Sequence, residues 1–61
     1  MKKIKKIREK YGLSQKELGK VIGINDRVVG NYERGIRRLS VDKAKKLGKH
    51  FNFDWWRLYE D

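Results

Sequence analysis

The 61-residue sequence predicts one all-α domain of five short helices, spanning residues 1–61. Two observations lead to that reading. Apolar residues recur three and four positions apart along successive segments, and Ser14 to Arg34 carries the start and stop signals of two short helices joined by a tight turn. A chain of this length buries only about 60% of the surface it exposes when unfolded, which argues against a large pocket.

The first helix is expected over residues 2 to 11. Ile4, Ile7 and Tyr11 form a narrow apolar stripe among Lys2, Lys3, Lys5, Lys6, Arg8 and Lys10, and Gly12 ends it. The second starts at Ser14. With Glu17 three residues on, Ser14 forms a capping box in which hydroxyl and carboxylate each satisfy an unpaired backbone N–H, and Leu13 and Leu18 stand at the spacing of a hydrophobic staple. Leu18, Val21 and Ile22 make its buried stripe. Gly19 lies beside that stripe and predicts a close approach by the next helix, since glycine there costs roughly 1 kcal/mol relative to alanine. Gly23 supplies the left-handed residue that stops the helix.

The third helix restarts at once, with Asn25 as its cap and Ile24 and Val29 repeating the staple. Ser40 caps a fourth over roughly 41 to 50, with Val41, Ala44, Leu47 and Gly48 inward and Lys43, Lys45, Lys46 and Lys49 toward water. Phe51, Asn52 and Phe53 link it to a last helix that Asp54 caps and Phe53 staples to Leu58. Trp55, Leu58 and Tyr59 share its inner face. Trp56 is rotated away, which leaves two roles open for it: a contact surface for a partner, or a ring lying across the edge of the core.

Seventeen Lys and Arg against eight Asp and Glu give a net charge of +9 and a pI near 10.1. Such a balance concentrates polyanions around the chain, whether nucleic acid or an acidic membrane. The first helix lacks the broad apolar face that a membrane-surface helix needs. No run is apolar enough to follow the basic start as a signal peptide or to span a bilayer, so a cytoplasmic location without membrane contact is expected. There is no cysteine for a disulfide or thiolate site. His50 stands alone. Paired catalytic carboxylates, a nucleophile with its base, a metal-ligand cluster and a phosphate loop are all missing from the motifs, so no enzyme, metal, cofactor or small-molecule ligand is expected.

The third helix carries the informative face. Val29 and Tyr32 share a side with Asn25, which leaves Arg27, Gly30, Asn31 and Arg34 on the other, with Asp26 on its flank and no aliphatic residue among them. Arginine can donate two bonds to guanine O6 and N7, and asparagine can pair with adenine N6 and N7. Arg27 and Asn31 stand one turn apart, so one helix in the major groove can bring both to base edges. Two roles are open for Asp26, acceptance from cytosine or complement to the helix dipole. Gln15 begins its helix, where free N–H groups favour an anion; a phosphate contact and a merely solvated side chain are both open.

Gln15, Leu18, Gly19, Ile22, Gly23, Ile24, Val29 and Tyr32, continued by Glu33-Arg34-Gly35, resemble the helix-turn-helix of Cro-like and phage-repressor-like (XRE-type) DNA-binding proteins, over roughly residues 3 to 59. The resemblance implies a lambda-repressor-like fold and a sequence-specific regulator of transcription that binds double-stranded DNA, a repressor of prokaryotic or phage origin. No effector domain follows the motif, so repression is expected through occupancy of the site. The resemblance also implies an ion pair between Arg8 and Glu33, and backbone contacts from Gln15, Asn25, Arg34, Arg37 and Arg38. Gly30 departs from the family's larger polar residue, either to seat the backbone deeper in the groove or because the position is tolerant. Family members often carry proline near Leu39, and its absence predicts a less rigid loop. They usually bind inverted repeats as dimers, so a weak homodimer through Trp55 and Trp56 is expected. The alternative is a protein-interaction module on the same scaffold, an antirepressor or antitoxin-like protein using the terminal aromatics, which a salt titration with duplex DNA distinguishes.

Overall fold

Four α-helices and a C-terminal 3₁₀ helix make up the computed structural model, which describes residues 1–60; Asp61 lies outside the described residues. The elements are α1 (Lys2–Lys10), α2 (Gln15–Ile22), α3 (Asp26–Glu33), α4 (Val41–Phe51) and the 3₁₀ helix Trp55–Tyr59. No strand occurs among the described residues. The all-helical domain is as the sequence predicts, with the fifth helix in the tighter 3₁₀ form.

Local signals set most boundaries. Ser14 N–H donates to Glu17 Oε1 at 2.8 Å while Glu17 N–H donates to Ser14 Oγ at 3.0 Å, which completes the capping box. Gly23, at φ 76°, stops α2 in the left-handed conformation. Asn25 Oδ1 then accepts from Val28 N–H at 3.0 Å, and α3 begins three residues after the stop, at Asp26. Gly19 makes this turn possible. A Cβ built there would overlap the carbonyl oxygen of Ile24, so what comes close is the turn itself rather than the face of α3.

Ile4, Leu18, Ile22, Val29, Ala44, Leu47 and Leu58 form the centre of the core, with Tyr32 and Leu39 at its margin. Two inward assignments and one helix boundary change. Tyr11 caps α1 rather than continuing it, and its ring lies outside the core, stacked on Phe51 at 4.6 Å. Val41 opens α4 at the solvent boundary and is 47% exposed, since only the later turns of α4 reach the core through Ala44, Leu47 and Gly48. Phe51 belongs to α4, which ends at Asn52 in the left-handed conformation.

Past Asn52 the chain folds back tightly over α4. A Cβ on Gly48 would stand 2.9 Å from both Phe53 O and Trp55 Cβ. Asp54 occupies the cap position without a side-chain cap bond, and its carbonyl accepts from Arg57 N–H at 3.1 Å, three residues on. So short a return has room for one tight turn, which suffices to bury Leu58.

Candidate nucleic-acid interface

Packing determines which face of α3 remains available. Val29 and Tyr32 are held in the core, so Arg27 and Arg34 point to solvent and Asn31 is half-exposed. Gly30 is the exception on this face. It is buried beneath neighbouring side chains, and a Cβ there would stand 3.4 Å from both Arg34 Nη1 and Gln15 Nε2. A guanidinium and an amide thus lie across the middle of the helix, at a distance that a methyl group would just fill.

These groups are already ordered among themselves. Arg34 Nη2 donates to Asn31 Oδ1 at 2.8 Å, leaving the Asn31 amino group directed elsewhere. Asp26 Oδ1 accepts from Arg27 N–H at 2.9 Å, so the carboxylate lies over the helix start. Asn25 Oδ1 is used by its cap, which leaves its amino group as the donor available to a ligand.

Gln15 reaches across from α2. Its Nε2 donates to Glu33 Oε1 at 3.2 Å. Glu33 also receives Arg8 Nε on Oε2 at 2.6 Å and Arg8 Nη2 on Oε1 at 3.3 Å, while Arg8 Nη1 donates to the Leu13 carbonyl at 3.0 Å. One carboxylate therefore ties α1, α2 and α3 together beside the exposed face. Burial alone would push the Glu33 carboxyl up, but the hydrogen bonds from Arg8 and Gln15, with the charges of Arg8 and Lys5, outweigh it and hold it below its usual value. The hydrogen bond to Glu33 likewise pushes the Arg8 guanidinium up.

The loop after α3 adds two cations. Arg37 lies over the Tyr32 ring, 5.9 Å from its centroid, and Arg38 over the Tyr59 ring at 5.4 Å. Leu39 anchors this loop against the expected slackness: it is 3% exposed, and its carbonyl accepts from the Tyr59 hydroxyl at 2.6 Å. Met1 is a participant that sequence reasoning missed. Its ammonium donates to the carbonyl of Tyr32 at 2.8 Å, near the end of α3, where a positive group complements the helix dipole. The basic character of the N-terminal segment was the visible signal, but nothing in it showed burial of Met1.

Arg27 and Asn31 on α3 and Arg34 at its C-cap are thus presented together, Gln15 and Asn25 stand at the edges, and Arg37 and Arg38 follow in the loop. Trp55 and Trp56 lie apart from this group on the 3₁₀ helix, edge to face at 5.7 Å, with Trp56 52% exposed. Among the described residues no His, Cys, Asp and Glu cluster is arranged to hold a metal, and no helix is long and apolar enough to cross a membrane.

The family model described as Helix-turn-helix matches residues 4–56. The chain belongs to this family. Its members are DNA-binding regulators of transcription, and the match covers α1 through the start of the 3₁₀ helix. The chain is 37% identical to the uncharacterized HTH-type transcriptional regulator YqaF of Bacillus subtilis over 58 residues, covering 95% of this chain and 76% of that protein. It is also similar to proteins of Pyrococcus furiosus and Thermococcus kodakarensis whose names describe HTH-type transcriptional regulatory proteins. Identity is 36% over 82% of this chain in the first and 37% over 80% in the second. The chain spans only 16% and 15% of those two proteins. No solved structure matches it.

Proposed function

We propose that this domain binds duplex DNA sequence-specifically as a cytoplasmic transcriptional repressor acting by occupancy of its site. The supporting observation is the outward face of α3, where Arg27, Asn31 and Arg34 stand together without an aliphatic neighbour while the opposite face is locked in the core. With α3 in the major groove, Arg27 donates to a guanine and Asn31 pairs with an adenine. Arg34, bonded to Asn31, sets the orientation of that amide and meets the adjoining backbone. Asp26, on the flank of that face, keeps its second carboxylate oxygen to accept from a cytosine.

Phosphates are the targets of Gln15, Asn25, Arg37 and Arg38. Gln15 stands at the start of α2, where free N–H groups attract an anion, and the two arginines flank the exit of α3. One such helix reads only a few base pairs, so two copies on an inverted repeat supply the remaining specificity, with Trp55 and Trp56 as the contact between them. Selection of bound sequences from a random duplex pool tests the reading. An enriched inverted repeat is the expected result, and a pool that stays random after repeated rounds overturns sequence-specific binding.

A further inference from the structure

α1 turns its two flanks to different neighbours. Arg8 reaches α3 through Glu33, and by the helical period Lys3, Ile7 and Lys10 stand on the other flank, toward the C-terminal segment. There a cleft of about 300 Å³ opens between α1, Phe53 and the 3₁₀ helix. Its floor is apolar, made by Ile7, Phe53 and Leu58, with Tyr11 as a wall. Its edge is cationic, formed by Lys3, Lys6, Lys10 and Arg57. Lys10 is held over the Tyr11 ring at 5.5 Å, and Lys3 meets the Glu60 carboxylate at 3.7 Å, so an acid group already finds this edge.

None of these residues belongs to the outward face of α3. A phosphate backbone would use the cations and leave the apolar floor empty. A small organic anion is poorly served as well, because the polar groups are flexible side chains around the opening, and nothing convergent and buried fixes an orientation. An acidic segment of another protein uses both parts. Each carboxylate gains little from one exposed lysine, but several along a segment add together, while one or two apolar side chains remove the floor from water. The volume, at the lower end for ligand sites, matches such a pair of side chains.

We propose that this cleft docks an acidic segment of a partner protein that carries apolar side chains. The charge complementarity of the edge and the apolar floor together define the class, and the site works independently of DNA. The probe is a short synthetic peptide alternating pairs of glutamate with leucine and phenylalanine, titrated into the free protein and followed by amide chemical shifts. Shifts centred on Ile7, Tyr11, Phe53 and Arg57 are expected. Lys6→Glu with Lys10→Glu should weaken binding about tenfold more than Lys46→Glu with Lys49→Glu, which changes net charge equally on α4. Serine in place of the apolar residues of the peptide should abolish binding. Thermal melts check that each variant folds, and Lys6→Gln with Lys10→Gln serves if the charge reversal does not. Equal losses in the two double variants, undiminished binding of the serine peptide, or shifts centred on α3 would each overturn the proposal, because the protein would then be responding to charge alone.

Discussion

Arg8 Nε stands 2.6 Å from Oε2 of Glu33, and the two side chains are only 16% and 6% exposed. Removing either leaves the other charge shielded and unpaired, which costs more than the pair itself contributes. Arg8→Ala should therefore lower stability by about 2 to 3 kcal/mol, given two charged hydrogen bonds and partial burial. Lys6→Ala, an exposed change on the same helix, should stay within about 0.5 kcal/mol. Denaturant melts decide it: equal midpoints would uncouple the pair from stability.

The same carboxyl gives a pH dependence with a definite sign. Glu33 titrates below its unfolded value, so its contribution is present above the ordinary carboxylate range and disappears as pH falls through the lower folded value. Glu17, held down by its hydrogen bonds from Ser14, loses its contribution in the same direction. Stability should thus decline on acidification, and Glu33→Gln should flatten part of that decline. An unchanged acid slope in the variant would show that Glu33 carries none of it.

Glycine substitutions should separate by what surrounds each position. Gly19→Ala meets the backbone of Ile24 and Gly48→Ala that of Phe53, neither of which gives way easily, so each should cost about 1 to 3 kcal/mol. Gly30→Ala meets only the ends of Gln15 and Arg34. It should be neutral, or stabilising by up to about 1 kcal/mol through helix propensity, and should leave DNA affinity within about twofold, since Gln15 and Arg34 can stay in place. Melts alongside DNA titrations check both halves of that statement.

Salt should test the proposed phosphate contacts. The logarithm of the binding constant is expected to fall with that of salt concentration, with a slope of about −0.9 for each phosphate neutralised. Arg37→Ala should weaken all duplexes alike and reduce the slope by about one contact, whereas Arg27→Ala should cost about 1 to 3 kcal/mol at the preferred site and little elsewhere. Equal losses on specific and nonspecific DNA in Arg27→Ala would remove it from base readout.

Assembly is the remaining test. Trp56 offers a small surface, so the protein should be monomeric at micromolar concentration and bind an inverted repeat cooperatively, because shared DNA raises the effective concentration of the second copy. Trp56→Ala should abolish the cooperativity while keeping half-site affinity. Sedimentation that finds one copy per full site, or cooperativity unchanged in the variant, would exclude this contact.

What was legible in the sequence depended on how far each signal had to reach. The Ser14–Glu17 box, the Asn25 cap and the Gly23 stop are settled by residues within a few positions of one another, and all three form. The outward face of α3 followed from the helical period. Gly30 departed from it, because its cover comes from Gln15 on another helix as well as from Arg34. Tyr11 and Val41 fit their helical stripes, but both lie at helix ends where the core no longer reaches. The burial of Met1 and Leu39 arises from segments that meet only in the folded chain, and Met1 Sδ accepts from Leu39 N–H at 3.2 Å.

The Tyr59 hydroxyl bond to Leu39 gives the C-terminal segment a mechanical part in holding the loop proposed to meet DNA. The loop that carries Arg37 and Arg38 has no proline to stiffen it; its restraint comes from a tyrosine twenty residues later, which holds the Leu39 carbonyl and lies under the Arg38 guanidinium. The 3₁₀ helix therefore works as a strut for a loop at the other end of α4. Tyr59→Phe would spare every residue proposed to meet DNA, keep Leu58 in the core and still slacken the loop that presents Arg38.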